Sequence, residues 1–600
     1  MSLPAIDPGV SGDPRNDTSI FLLLMWAVAV FSLYVTSGIN SLSTDDAMRL
    51  VEVRDLLAGQ SWFDMTQYRV DPPSGVAMHW SRLIDLPLAL IIKSGSMFLS
   101  TAVAEKIALI VWPTTLLLVF LAGASRLAQE LAGPLAARMA LVFSVLMAPV
   151  LQNFRFGAIH HHNLQLALMV WSLALFARIP SRSRDSAMAG FLCALSVAIG
   201  QQMVPAVATL AVVVGLRWVV DGAKCKRTTV AYAVALAGGA IILAVSTVAP
   251  GSYLTVQCDA ISIAQTGVLV LGGLGLAALA MLPHLNSIAS RGVAAGSLAA
   301  LLAAYLKLGA PQCLGDPFAQ LDPRLTDLWL SSVAEARNLF SVMRDLPQQV
   351  PAYYGIPLAA LVLGTIRCLR EQDQQRWNWI ACTTAQVAFA LVSVWELRGA
   401  TGANALGAVL VPAALLEMIP VPEGRASYFG MPRAALVAML FLNPIVLLAL
   451  GSGVAHAVAA AAVTRQRIIT SGDAGTCQRV ADYAPLATLP RGRVLAFIDS
   501  GPFILMESVH AVLAAPYHRN QAGNIAMLDM FLGAPNDAKV QMAKRGIDYV
   551  AFCSGAPERH NYVARAPASL VAALSRGDVP SFLERIPLDR TDLAVYRVRP

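Results

Sequence analysis

Three groups of residues in this 600-residue chain have the types and spacing to do chemistry. The first is Ser43-Thr44-Asp45-Asp46-Ala47-Met48-Arg49, followed by Glu52, Arg54 and Asp55. Adjacent carboxylates can hold a divalent cation or take a proton from an acceptor. They also suit the start of a helix running to Leu57, with Thr44 or Asp45 as its cap and acidic side chains against its positive end. The second group is His160-His161-His162-Asn163-Leu164-Gln165. Imidazoles ligate metals, relay protons or shape a polar pocket. Consecutive helical positions point about 100° apart, so one or two of the three are expected to face a site, and a zinc centre is not expected. The third comprises Ser332-Val333-Ala334-Glu335-Ala336-Arg337 and Arg398, the latter just past Trp395 and Glu396. A guanidinium matches two phosphate oxygens, although either group could form an ordinary interfacial ion pair.

Solvent dictates the elements that must position these residues. With 56% hydrophobic and 14% charged residues and a mean hydropathy of +0.60, the chain is too apolar for water, where charged residues make up about 25%. A helix of about 20 apolar residues crosses a bilayer with its backbone satisfied. The pattern predicts about thirteen spans, near 20–35, 107–124, 136–151, 164–177, 188–199, 204–220, 231–248, 266–282, 293–308, 356–366, 380–395, 403–418 and 434–450. The first follows a polar leader containing Arg15 and is read as a retained span rather than a cleaved signal. Threading the spans in order puts Arg126, Arg178, Lys224, Arg291, Arg367 and Arg425 on one side, which the retention of Lys and Arg makes cytoplasmic. This topology accounts for the net charge of +7 without a nucleic-acid partner.

Residues 1–455 are therefore expected to form a membrane domain with large outer loops at 38–105 and 310–350, and 456–600 a periplasmic α/β domain. Within the first loop, 86–99 is apolar enough to lie along the membrane surface. The tail alternates strand-like runs (494–498, 511–515, 549–552, 593–598) with helix-like ones (524–532, 536–545, 568–575), a rhythm that suggests a largely parallel sheet. Cys258, Cys313, Cys477 and Cys553 fall outside, either as disulfides Cys258–Cys313 and Cys477–Cys553 or as buried thiols. The turns Asp499-Ser500-Gly501-Pro502 and Tyr517-His518-Arg519-Asn520 follow predicted strands, where ligand-contacting loops often emerge.

Taken in order, these features resemble the GT-C membrane glycosyltransferases, most specifically the catalytic subunit of oligosaccharyltransferases. Asp45, with Arg54-Asp55 downstream, is similar in spacing to that family's first acidic motif, and 75–83 to the Gly and Trp segment after it. The stretch 160–165 resembles the second motif, often Asp-His-His followed by a Glu. Here His160 stands where the Asp would be and Gln165 where the Glu would be. Ser332-Val333-Ala334-Glu335 matches the Ser/Thr-Ile/Val-x-Glu motif, and Arg398 resembles the Arg that grips the donor phosphate. No Trp-Trp-Asp occurs in the C-terminal segment, so protein N-glycosylation is not expected.

The resemblance implies an α-helical polytopic protein of GT-C type with an extracytoplasmic α/β domain. It implies inverting transfer of a sugar from a polyprenyl phosphate or diphosphate to a glycan, lipid or protein acceptor at the outer face of the cell inner membrane. Asp45 would be the base, or would hold Mg²⁺ or Mn²⁺ with His160, and Asp46 and Glu335 would complete the catalytic set. Arg398, His161 and His162 would bind the donor phosphate, and Tyr517, His518 and Arg519 would roof the site. A transporter or flippase would need ionisable residues at the bilayer midplane and broken helices in paired positions, whereas the charges here concentrate in outer loops. A non-catalytic scaffold would present the tail as its working part.

Overall fold

The computed structural model describes residues 14–38, 42–178, 182–316, 318–418, 441–461, 477, 479–588 and 593–600. Nine helices among them are long and apolar enough to cross a bilayer. Two expected spans share one of these, Thr101–Val145, which breaks at Ala132 and Gly133. Pro134 withholds a backbone donor there, and Gly133 takes φ 82°, a conformation that costs glycine little. His162–Ala177 and Ser183–Ile199 are shorter helices in the same bundle. The expected span 434–450 falls partly outside the described residues, which omit 419–440, and the described helix Pro444–Ala461 overlaps the rest of it. Proline suits the first turn of a helix, and the apolar run continues past the expected boundary at 455.

Small residues let the helices approach. Gly190 of Ser183–Ile199 lies against the Tyr232 carbonyl of Lys226–Thr247, and Gly273 of Ile263–Met281 against the Ala233 carbonyl, so a Cβ at either would collide with backbone. Close approach between small residues is how helices associate in lipid, where no hydrophobic force separates helix from tail. Helix direction puts Arg178, Arg217 and Arg367 at the ends remote from His162, Gln202 and Tyr353. Arg178 pairs there with Asp185 at 3.3 Å, Arg217 with Gln374, and Arg367 with Glu371.

The first loop is ordered by buried charge. Thr44–Leu57 and Arg82–Gly95 flank a hairpin of β1 (Thr66–Gln67) and β2 (Val76–Ala77). Asp85 joins Arg49 at 2.7 Å and Arg82 at 3.0 Å, all three buried, while Arg49 stacks on Trp80 at 4.4 Å. Arg82–Gly95 buries Ile84, Leu88 and Ile92 and exposes Leu86 and Leu90, with Met97 and Phe98 exposed beyond it, an arrangement that suits a membrane surface.

The C-terminal sheet has the order β4-β3-β5-β7-β6, from β3 (Arg493–Leu495), β4 (Ala511–Val512), β5 (Tyr549–Cys553), β6 (Leu583–Ile586) and β7 (Leu593–Val598). It is mixed rather than largely parallel: β3 pairs parallel with β4 and β5, but β7 pairs antiparallel with β5 and β6. β6 and β7 are consecutive strands too close in sequence for the crossover that a parallel pair needs, and they pair antiparallel. The first loop joins this sheet, since Asp71 donates its N–H to Val512 and Val512 donates to Arg69, both at 2.8 Å. Arg54 donates to the Met506 carbonyl at 2.6 Å and Arg69 to that of Ser508 at 2.9 Å. Val51, Val70 and Trp80 of the loop share one hydrophobic core with Phe503, Leu513 and Tyr517 of the tail. Both expected disulfides are present, with Cα separations of 5.1 Å for Cys258–Cys313 and 6.1 Å for Cys477–Cys553.

Gly190→Val should lower the unfolding midpoint in detergent, at a cost of about 1–3 kcal/mol for overpacking. Gly238→Val, where an added Cβ meets nothing within 4 Å, should not.

Candidate active site

The helix after the first span begins with a reciprocal cap. Ser43, rather than Thr44 or Asp45, is the N-cap: its side chain accepts from the Asp46 N–H, and Asp46 Oδ2 accepts the Ser43 N–H at 3.0 Å and hydroxyl at 2.7 Å. The same carboxylate reaches across to the histidine turn. Arg155 donates to Oδ2 at 2.7 Å, the Ile159 and His160 amides donate to Oδ1 at 2.9 and 3.2 Å, and His160 Nδ1 lies 2.6 Å from Oδ1. Burial would raise the pKa of Asp46, but His160, Arg155 and Ser43 outweigh it and hold the group well below the carboxylate range. Asp46, expected as a catalytic partner, therefore has its oxygens occupied and serves as an anchor.

Asp45 has the opposite environment. It lines a cavity of about 1900 Å³, where desolvation, offset by His160 and reinforced by Glu335 and Asp46, pushes it up to about 6. His160 and His161 precede the helix, which begins at His162, so the 100° restriction on helical neighbours does not hold them apart. All three histidines line the cavity, with ring centroids 4.6 Å apart for His160–His162 and 4.4 Å for His161–His162. Gln165, at the second-motif acidic position, instead donates to the Gly200 carbonyl at 2.7 Å.

Glu335 and Arg398 arrive from the second large outer loop and the start of Arg398–Met418. The Leu397 N–H donates to the Arg337 carbonyl at 2.7 Å, which ties the two segments together. Arg398 pairs with Glu396 at 2.8 Å, and both line the cavity with Glu335. Desolvation would raise Glu335, but its interactions with His162, Arg398, His160 and Arg155 prevail and keep it below its ordinary value.

The C-terminal domain supplies Asp499, Tyr517 and His518 to the same cavity. Arg519, expected beside them, instead pairs with Asp259 at 2.6 Å. Burial and Glu558 hold Asp499 above the carboxylate range. A second cavity of about 230 Å³ shares Ser43, Thr44 and Asp499 with the first and extends toward Glu558. Sequence reasoning missed Arg155, His79 and Asp259; the signal for the last was its place beside Cys258.

Away from these groups the large cavity becomes an apolar groove. It is lined by Val212 and Leu216 of Val204–Asp221, Gly272 and Leu276 of Ile263–Met281, and Gly296 and Ala299 of Ile288–Gly309. From Val204 to Val219, both lining residues, a helix rises about 22 Å, most of a hydrocarbon core of about 30 Å.

The pairing of Asp45 with His160 does not fit a Mg²⁺ or Mn²⁺ cage. Such ions favour several oxygens, and here His160 spends Nδ1 on Asp46 and Asp46 is occupied, which leaves Asp45 as the one carboxylate of the pair open to the cavity. Among the described residues, the His, Cys, Asp and Glu side chains whose ligand atoms converge are His79, Asp259 and His518.

No protein-family model matches the chain, and no curated protein matches it in sequence. Among solved structures it is similar to the archaeal oligosaccharyltransferase AglB from Archaeoglobus fulgidus in complex with an inhibitory peptide and a dolichol-phosphate. The TM-score is 0.66 at 14% identity, over 95% of this chain and 73% of that one. It is similar also to the Archaeoglobus fulgidus oligosaccharyltransferase tethered with an acceptor peptide containing the NVT sequon, with TM-score 0.65 and 15% identity over 93% and 72% of the two chains. The chain shares the fold of these oligosaccharyltransferase structures.

Asp46→Asn should cost about 3–5 kcal/mol of stability, because it strips a buried partner from Arg155 and His160. The native pKa of Asp46 lies below its unfolded value, so this stability is present above about pH 4 and lost as pH falls toward the native pKa. Unfolding in detergent against pH should show that acid loss in the wild type and a weaker one in the variant.

Proposed function

We propose that the protein transfers a sugar from a polyprenyl phosphate or diphosphate to an acceptor at the outer face of the cell inner membrane. The observation that carries this reading is one cavity with two chemically distinct parts: a polar chamber holding Asp45, Glu335 and Arg398, and an apolar groove that could take a prenyl chain. The fold shared with an oligosaccharyltransferase that binds dolichol-phosphate supports it. The outer-face assignment is supported by two disulfides on the cavity side and arginines at the opposite helix ends.

In the proposed reaction the acceptor approaches from the C-terminal domain, between Asp45 and Asp499. Asp45 takes the proton of the attacking group as its bond to the anomeric carbon forms. The bond from that carbon to the phosphate oxygen breaks, and its electron pair stays on the phosphate. Attack opposite the leaving group inverts the configuration. Arg398 receives the growing negative charge at the mouth of the groove, and His162, which burial keeps neutral, is available there as a hydrogen-bond donor, with Gln202 Nε2 3.4 Å from its Nε2. A charge-stabilising group of this kind contributes on the order of 10²- to 10³-fold. Glu396, paired with Arg398 at 2.8 Å, holds the guanidinium beside the chamber, and Glu335 lines the same space. The acceptor class stays open between glycan, lipid and protein.

Asp45→Asn should lower kcat/KM for transfer from a polyprenyl-linked sugar by about 10²- to 10⁴-fold with thermal unfolding unchanged. A base must be ionised to act, so wild-type kcat/KM should decline as pH drops through about 6; full activity in the variant would refute the assignment. Gly296→Leu should raise KM for a long-chain donor while leaving that for a short-chain donor unaltered, because only the long chain reaches Gly296 in the groove.

A further inference from the structure

We propose that His79, Asp259 and His518 form a binding site for a divalent transition ion of the zinc type, which fastens the C-terminal domain over the cavity. The three residues come from remote parts of the chain. His79 follows β2 in the first loop, Asp259 lies in the turn before Ile263–Met281, and His518 opens a turn of the C-terminal domain. One ligand atom from each lies within 4.8 Å of the others. Two imidazoles with one carboxylate suit zinc, whereas magnesium and calcium favour all-oxygen cages.

The surroundings are those of a built site. His79 Nδ1 is buried and has no hydrogen-bond partner, and such an atom loses solvation with nothing in return. Asp259 is held from behind: Arg519 donates Nη2 to Oδ1 at 2.6 Å and Nε to Oδ2 at 2.8 Å, the kind of outer hydrogen bonding that orients a ligating carboxylate. Its backbone is held by the neighbouring Cys258–Cys313 disulfide. His518 Nε2 lies 2.8 Å from Asp259 Oδ2. Two ligands on a tetrahedral zinc stand about 3.3 Å apart, so that pair would open by about half an ångström to admit the ion. All three side chains line the large cavity, which leaves a fourth position facing it for water or a substrate oxygen. Asp45 is not among its ligands, and the site does not depend on the proposed transfer reaction.

The test uses full-length, tag-free protein in detergent, stripped with chelator, loaded with Zn²⁺ and dialysed against metal-free buffer. Elemental analysis should find about one zinc per chain in the wild type, and zinc should raise its unfolding midpoint. His79→Gln and His518→Gln should each abolish retained zinc and its thermal effect, while the double variant His161→Gln/His162→Gln keeps both. Cobalt loading of the unmutated protein should give the visible absorption of a low-coordinate histidine site, which needs no variant to fold. Wild-type protein that retains no zinc and shows no cobalt band would overturn the proposal and leave a plain ion pair between Asp259 and Arg519. So would zinc kept by both single variants, or zinc lost from the His161/His162 variant.

Discussion

A single buried carboxylate, Asp46, decides where the neighbouring one can point. Its oxygens accept from Ser43, Arg155 and the Ile159 and His160 amides and meet the His160 ring, so the first outer loop and the histidine turn are held as one body. Burying a carboxylate costs several kcal/mol unless its lone pairs are filled, and here every donor except Ser43 arrives from more than 100 residues away. With Asp46 locked, the next residue back on the helix faces the cavity. Two adjacent side chains of the same type are thereby driven apart, one well below the carboxylate range and one up to about 6. Environment, not residue type, separates anchor from candidate base.

The second constraint is that the outer chamber must keep its shape without a conventional soluble core. Asp85, shared by Arg49 and Arg82, is the centre of the first loop, and burial together with Asp85 raises the pKa of Glu52 beside them. A charged cluster of this kind is weak evidence for stability but specific in geometry. It shapes the face that packs on the C-terminal domain, where loop and tail share hydrophobic contacts, a strand edge and arginine-to-carbonyl bonds. The roof of the cavity is thus continuous with its floor, which lets Asp499 and Asp45 face one chamber from opposite ends of the sequence.

Much of this was legible in the residues. Apolar runs located the helices because a chain in lipid must satisfy its backbone within each segment, and the order of Asp45, the histidines, Glu335 and Arg398 survives as convergence on one cavity. What was hidden depended on contacts that no local pattern encodes. Asp45 and Asp46 are indistinguishable until Arg155 and His160 take one of them. The histidines were assigned a helical spacing, but the helix starts only at the third, and all three reach the cavity. Strand β6, with Glu584 and Arg585 in its four residues, lacks the apolar pattern by which the other strands were found.

A transferase of this proposed kind must bring a lipid and a water-soluble or membrane-borne acceptor to one point while excluding water from the bond being made. Groups of both signs line the cavity: Arg398 pairs with Glu396, Arg155 is held by Asp46, and Asp45 stays open to the chamber. A phosphate departing beside Arg398 would meet its charge, and a proton leaving the acceptor would pass to Asp45. The elevated pKa of Asp45 follows from the same desolvation that would strengthen both attractions. A carboxylate exposed to water would be a weaker base, and a deeper one would remain protonated; an environment that poises it near 6 keeps it ionised at neutral pH while raising its affinity for a proton.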